Sequence, residues 1–379
     1  MKIIGLIAEY NPYHLGHRYQ IKQIKKMYPE SIIIAIISTY FTQRGDISII
    51  NKWDKTKIAL EEGIDLVIEL PTLYATQSAD IFAYGAISIL NKFKIDTLVF
   101  GSESNDIISL TKLANIQINN PEYDLLVKKY LDTGINYPTA MSKALKDIAK
   151  TTIDKPNDLL ALSYIKQIIK NNYQITPISI KRTNNYHDKE IKSNIINATL
   201  IRELILKKED ITPYIPKITN NYIYKDISLN NAYPYLIYNI ITNKDNLKLY
   251  MDDLEGLEGR IIKNINNSNN WNELVMNIKT KRYTYNKINR ILLHILLNIK
   301  KENNNKDIYL RVLGFNQNGR NYLNKIKKNL DMELITSYKP NKSKILDLEF
   351  QCTYIYSLIV KDSSLIEKEY KNKPIIINK

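Results

Sequence analysis

Along the first 205 residues, unbroken apolar runs alternate with longer stretches of mixed polarity. Ile3–Ala8 is a short apolar run near the N-terminus. Ser31-Ile32-Ile33-Ile34-Ala35-Ile36-Ile37 is largely β-branched with no polar alternation, the pattern of a strand covered on both faces. Residues 65–70 and 96–100 repeat that pattern and are closed by Pro71 and Gly101. Between these runs, residues 12–27, 53–62 and 78–93 read as helices, with Ser78 placed as an N-cap. Residues 107–172 read as mostly helical, 175–180 as one more strand and 199–206 as a short helix. Buried strands separated by helices predict an α/β fold, a Rossmann-like doubly wound parallel sheet. Ligands of such sheets bind beyond the carboxyl ends of the strands. Residues 9–17, 38–46 and 101–103 all follow predicted strands, so they are expected to converge on one site.

After about residue 210 the strand–helix alternation fades. Asparagine-rich stretches appear at 264–270 and 303–305, and long helices are expected, with one late β-like segment at 308–313. Apolar content of 44% and charged content of 25% are ordinary for a globular chain. No apolar run approaches the roughly 18 residues of a membrane span, and the N-terminal run is too short for a signal peptide. The single cysteine, Cys352, excludes an intramolecular disulfide and a cysteine-based zinc cluster, and a reducing cytoplasmic setting is the default. A net charge of +15 suggests a polyanionic partner, of which nucleic acid is the commonest, unless lysine has simply accumulated. The location of that charge has to decide.

The chain has four histidines, and two of them fall in Glu9-Tyr10-Asn11-Pro12-Tyr13-His14-Leu15-Gly16-His17. Asn11-Pro12 reads as an N-cap followed by proline at the first helical position. His14 and His17 then share one face of the first turn, and Gly16 allows close approach to the backbone. Free N–H groups, the positive end of a helix dipole and two imidazoles make a phosphate site. The alternatives are packing histidines or a metal pair. A zinc site would need a third ligand, and His187 and His294 lie far along the chain.

His14-Leu15-Gly16-His17 after a strand resembles the H-x-G-H motif of the nucleotidyltransferase superfamily. Further segments follow in the order and spacing of the bacterial tRNA(Met) cytidine acetate ligase family. They include Gln43-Arg44-Gly45, Lys52-Trp53, Asp65-Leu66-Val67-Ile68-Glu69-Leu70-Pro71, Gln77-Ser78-Ala79 and Phe100-Gly101-Ser102-Glu103. Pro156-Asn157-Asp158, Lys181-Arg182 with Tyr186-His187-Asp188, Lys279-Thr280-Lys281-Arg282-Tyr283-Thr284-Tyr285 and Arg311-Val312-Leu313-Gly314-Phe315 continue the series. The resemblance covers most of the chain.

It implies that acetate attacks the α-phosphate of ATP to give acetyl-adenylate and pyrophosphate. The acetyl group then passes to N4 of the wobble cytidine of elongator tRNA(Met), giving N4-acetylcytidine. Residues 1–209 would be the ATP-binding catalytic domain and 210–379 a mostly helical tRNA-binding domain. His14 and His17 would be catalytic. ATP would lie on Ile7, Ala8, Glu9, Tyr10, Asn11, Pro12, Tyr13, His14, Leu15, Gly16, His17, Arg18, Tyr19 and Gln20, with Gly101, Asn157 and Arg182. Asn157 also fits an N-cap, Gly101 a strand end, and Arg182 a surface charge. Thr199 and Arg202, in Asn197-Ala198-Thr199-Leu200-Ile201-Arg202, resemble the superfamily's second phosphate motif, although serine more often stands where Asn197 does. A second departure is Thr39-Tyr40 before Phe41, where the family usually has a small residue and an acid. Activity is expected to be reduced if Tyr40 intrudes on the site. Magnesium is the default companion of ATP.

Residues 279–301 hold seven Lys or Arg and no acid, with an apolar stripe at helical spacing. Lys279, Lys281, Arg282, Lys287 and Arg290 are the expected tRNA contacts, and Tyr283 or Tyr285 could stack on an unpaired base. This placement tips the +15 charge towards a binding role. Two rivals stand beside this reading: an adenylating enzyme acting on a small metabolite, and an RNA-binding protein with a vestigial nucleotide fold.

Overall fold

The computed structural model describes residues 1–182, 194–252, 256–303 and 307–378. Its strands are β1 (Ile3–Ala8), β2 (Ile32–Ser38), β3 (Leu66–Leu70), β4 (Thr97–Ser102), β5 (Thr176–Lys181), β6 (Leu310–Asn316), β7 (Leu334–Ile335) and β8 (Ile375–Ile377). They form one sheet in the order β5-β4-β1-β2-β3-β6-β7, with β8 also paired to β6. The first five strands run parallel. All seven residues of β2 are buried, and its alternate side chains enter different cores. Ile32, Ile34 and Ile36 join one cluster, while Ile33, Ala35 and Ile37 join the other. Helices cover both faces, which favours apolar side chains along the strands and explains the nearly continuous apolar runs.

Two carboxylates pin the start of the sheet. Asp96 accepts from the Ile3 N–H at 2.7 Å, and Asp65 accepts from the Ile33 N–H at 2.8 Å. The segment 107–172 holds the helices Ile107–Asn119, Pro121–Asp132, Tyr137–Ala149 and Pro156–Lys170. Beyond residue 210 the chain is largely helical, as expected, but its late strand β6 lies antiparallel against β3 and β8 follows beside it. The sheet therefore runs across the boundary expected near 210, and the last 70 residues complete it. Among the described residues no helix is long and apolar enough to cross a membrane.

Candidate active site

β1 pairs with β2 on one side and with β4 on the other, so chain direction across the sheet reverses between β1 and β4. A cavity of about 260 Å³ opens at that point. Its floor is Ile7 and Ala8 at the end of β1, Phe100 and Gly101 of β4, and Ile180 and Lys181 of β5. This is the crevice that a doubly wound sheet offers a ligand.

The first helix begins later than the sequence suggests, at Leu15, and its N-cap is His14 in extended conformation. Asn11 has another task. It is buried, donates to the Ile47 carbonyl at 3.1 Å and accepts from the Ile49 N–H at 2.9 Å. The two histidines cap the helix reciprocally. His14 Nδ1 accepts from the Gly16 N–H at 3.0 Å, and His17 Nδ1 accepts from the His14 N–H at 3.2 Å. The rings stack with centroids 3.8 Å apart. A Cβ on Gly16 would lie 2.7 Å from His14 Cε1, so the group approaching that glycine is the His14 ring itself. With both Nδ1 atoms accepting, the proton of each neutral ring sits on Nε2. Burial pushes His14 down to about 3, helped by Arg182 and Arg202. Burial also holds His17 well below its usual range, with His14 and Arg182 adding to it. The pair thus offers two neutral N–H donors.

A second helix N-terminus meets the first. Asn197 caps the helix Ala198–Leu206 by accepting from the Leu200 N–H at 2.9 Å. Asn197, Ala198 and Thr199 line the cavity opposite Gly16 and His17. Arg202, one turn on, donates to the Asn11 carbonyl at 2.8 Å and to Thr199 Oγ1 at 3.4 Å, and lies 3.6 Å from Asp46. Arg44 and Arg182 also line the space. Two positive helix ends and three guanidinium groups suit a polyphosphate.

The other end of the cavity is less polar, walled by Phe82, Phe100, Leu160 and Tyr164. Asn157 stands beside it at the second position of its helix, so it is not the N-cap; Lys155 is, with Pro156 following. Glu103 accepts from Asn157 Nδ2 at 2.6 Å and from the Asp158 N–H at 3.0 Å. Asp158 in turn accepts from Ser102 Oγ at 2.5 Å and from the Glu103 N–H at 3.0 Å. With one Nδ2 hydrogen tied to Glu103, Asn157 keeps its carbonyl Oδ1 and a second N–H for a ligand. Gly101 carries the stem of Arg182, whose Cγ would lie 3.3 Å from an added Cβ.

Most of the segment 7–20 lines the cavity, but four of its residues do not. Pro12 and Tyr13 are buried beneath the loop. The Leu15 N–H donates to the Tyr214 carbonyl at 3.0 Å. Arg18 turns away to a two-pronged pair with Glu62 at 2.6 and 2.7 Å. Tyr40 does not intrude. It is fully buried against Tyr356, with ring centroids 4.5 Å apart, and the Lys52 ammonium lies 5.2 Å from its ring. Tyr186, His187 and Asp188 lie outside the described residues. The segment 38–46, expected to join the site because it follows a strand, supplies Thr42, Gln43, Arg44 and Asp46 to one wall, although none of these residues had been assigned a contact. The signal was the position of that loop, directly after a buried strand.

A family model described as HIGH Nucleotidyl Transferase matches residues 1–372. The tRNA(Met) cytidine acetate ligase of Caldicellulosiruptor saccharolyticus is 39% identical over 401 aligned positions, covering 100% of this chain and 99% of the relative. That of Clostridium perfringens is 37% identical, covering 99% of this chain and all of the relative. This chain belongs to the tRNA(Met) cytidine acetate ligase family. The crystal structure of Thermotoga maritima TmcAL in its apo form superposes with a TM-score of 0.92 at 28% identity, covering 100% of both chains. A second crystal form of that protein, bound with alpha-thio ATP, gives 0.89 over the same coverage.

Within this family member, the basic segment lies against the cavity wall. Thr284 caps the helix Tyr285–Leu296. Lys279, Lys281 and Arg282 are exposed and Lys287 is partly so. Arg290 is buried with 9% exposure, its backbone packed on Gly45, so the surface phosphate contact expected there is not available. Tyr283 is equally buried, with Arg282 and Lys287 5.8 and 5.0 Å from its ring, and it presents no open stacking face. Tyr285 is only partly buried. Asn289 donates to the Arg44 carbonyl at 3.0 Å, joining this helix to the loop that walls the cavity.

Proposed function

We propose that this protein activates acetate with ATP and transfers the acetyl group to N4 of the wobble cytidine of elongator tRNA(Met). The observation that carries the reading is the pair of neutral imidazoles held by reciprocal capping at a cavity where two helix N-termini meet. Acetate attacks the α-phosphorus and pyrophosphate leaves. Charge that grows on the phosphate oxygens is met by the Nε2–H groups of His14 and His17, by the two helix ends and by Arg182 and Arg202. Such catalysis is positioning plus electrostatic stabilisation. Neutral donors suit the task, since their hydrogen bonds strengthen as negative charge develops on the phosphate oxygens. The apolar wall and Asn157 Oδ1 suit the nucleoside. Magnesium would arrive with the phosphates as part of the substrate.

The tRNA contacts assigned to this reading are Lys279, Lys281, Arg282 and Lys287, beside the loop that walls the site. The test combines purified protein, ATP, radiolabelled acetate and tRNA, followed by nucleoside digestion. Label in N4-acetylcytidine is expected. Pyrophosphate release without labelled RNA would point instead to a small-metabolite acceptor, and neither product would leave RNA binding alone.

A further inference from the structure

We propose that Glu9 is the general base of the acetyl-transfer step, an inference that rests on the acetate-activating reading above. The exocyclic amine of cytosine is a weak nucleophile because its lone pair is delocalised into the ring. As N4 attacks the acetyl carbonyl carbon, a C–N bond forms and the bond from that carbon to the phosphate oxygen breaks. AMP leaves with the electron pair, and N4 must shed one proton. A positioned carboxylate is the group that would take it.

Glu9 follows β1 directly and lines the cavity at the reversal point of the sheet. Two carboxylates of the described residues line that cavity, and they differ. Asp46 is 3.6 Å from Arg202, in an ion pair. Glu9 has no ion pair with a described residue; its Oε1 accepts from the Gln43 N–H at 2.6 Å, which fixes the carboxylate and leaves Oε2 to act. Gln43 precedes Arg44, whose carbonyl is held by Asn289 of the basic helix. The loop that fixes Glu9 is thus itself tied to the basic helix. The charged and titratable groups around Glu9 are Arg44, Lys55, Arg202 and Tyr164. Burial outweighs the Gln43 hydrogen bond and the three cations and holds the carboxyl above its ordinary range, which makes it a better proton acceptor.

The test compares full-length wild type with Glu9→Gln and Glu9→Asp in three assays. These are acetate-dependent ATP–pyrophosphate exchange, trapping of acetyl-adenylate by hydroxylamine, and N4-acetylcytidine formation in tRNA. For Glu9→Gln, transfer to tRNA is expected to fall by ~10²–10³, while exchange and trapping fall less than about tenfold. Wild-type transfer should rise with pH through a midpoint above the usual carboxylate range, and Glu9→Gln should lose that limb while Glu9→Asp keeps it at a lower rate. Exchange and transfer falling in parallel would overturn the proposal and make Glu9 an ATP-positioning group. Transfer unchanged in Glu9→Gln would also overturn it. No exchange in wild type would sink the acetate-activating reading itself, a result distinct from either.

Discussion

Two polar clusters lie along the sheet and use their charge in opposite ways. In the first, the Lys52 ammonium sits 2.6 Å from both Glu69 and Glu369. Arg311 is 2.6 Å from Glu369 and 3.3 Å from Glu69, and the Tyr309 hydroxyl donates to Glu69 at 2.6 Å. All five side chains are buried, and the charges close on one another. In the second, His14, His17, Arg182, Arg202 and Glu9 surround a void. Lys52, Glu69 and Arg311 of the first cluster and the residues of the second fall within segments that resemble the family. The difference teaches that matching a motif does not assign a residue to chemistry. A buried charge paired with opposite charge inside the protein holds the fold, whereas polar groups arranged around an open cavity suit a ligand.

The largest effect expected is on the closed cluster. Lys52→Met leaves Glu69 and Glu369 buried against Arg311 alone and should lower unfolding stability by ~3–5 kcal/mol, read by urea denaturation. A loss below about 1 kcal/mol would break the contrast. Next, His17→Ala should reduce acetate-dependent pyrophosphate exchange by ~10²–10³, with a urea midpoint close to wild type. If its midpoint instead drops like that of Lys52→Met, the histidines are structural too.

A pH titration sharpens the comparison further. His14 is held at about 3 in the folded protein and returns to its ordinary range when unfolded. The unfolded chain therefore binds more protons between those values, so stability should fall as pH drops from about 6.5 towards 3. His14→Asn should show a shallower fall over that window. Smaller still, Lys281→Ala combined with Arg282→Ala should lower the salt dependence of tRNA binding, by about one unit of log–log slope for each phosphate that is no longer neutralised. Tyr40→Phe should leave turnover unchanged, because Tyr40 packs on Tyr356 away from the cavity.

Much of this architecture was legible because it is local. The strands β1 to β5 announced themselves as apolar runs, and His14, Gly16 and His17 lie within one turn. What sequence hid depended on partners far along the chain. Asn11 looked like a helix cap, yet it bonds to Ile47 and Ile49, and His14 takes the capping position. Arg290 looked like one more cation on a basic helix, yet its turn packs on Gly45. The C-terminal region read as helical with one β-like segment at 308–313, and no local pattern showed that β6 would pair with β3 or that the three-residue β8 would pair with β6. Glu103 and Asp158 form reciprocal bonds across more than 50 positions, which no local pattern shows.

The most direct test of the contrast is the thermal shift produced by ATP, measured on wild type, Lys52→Met and a His14→Ala/His17→Ala double variant. A ligand at 100 times its dissociation constant stabilises by about 2.7 kcal/mol. ATP should raise the melting temperature of wild type and Lys52→Met alike, although the second starts lower, and should leave the double variant nearly unmoved. A double variant stabilised by ATP as strongly as wild type would contradict the assignment of the open cluster to the nucleotide.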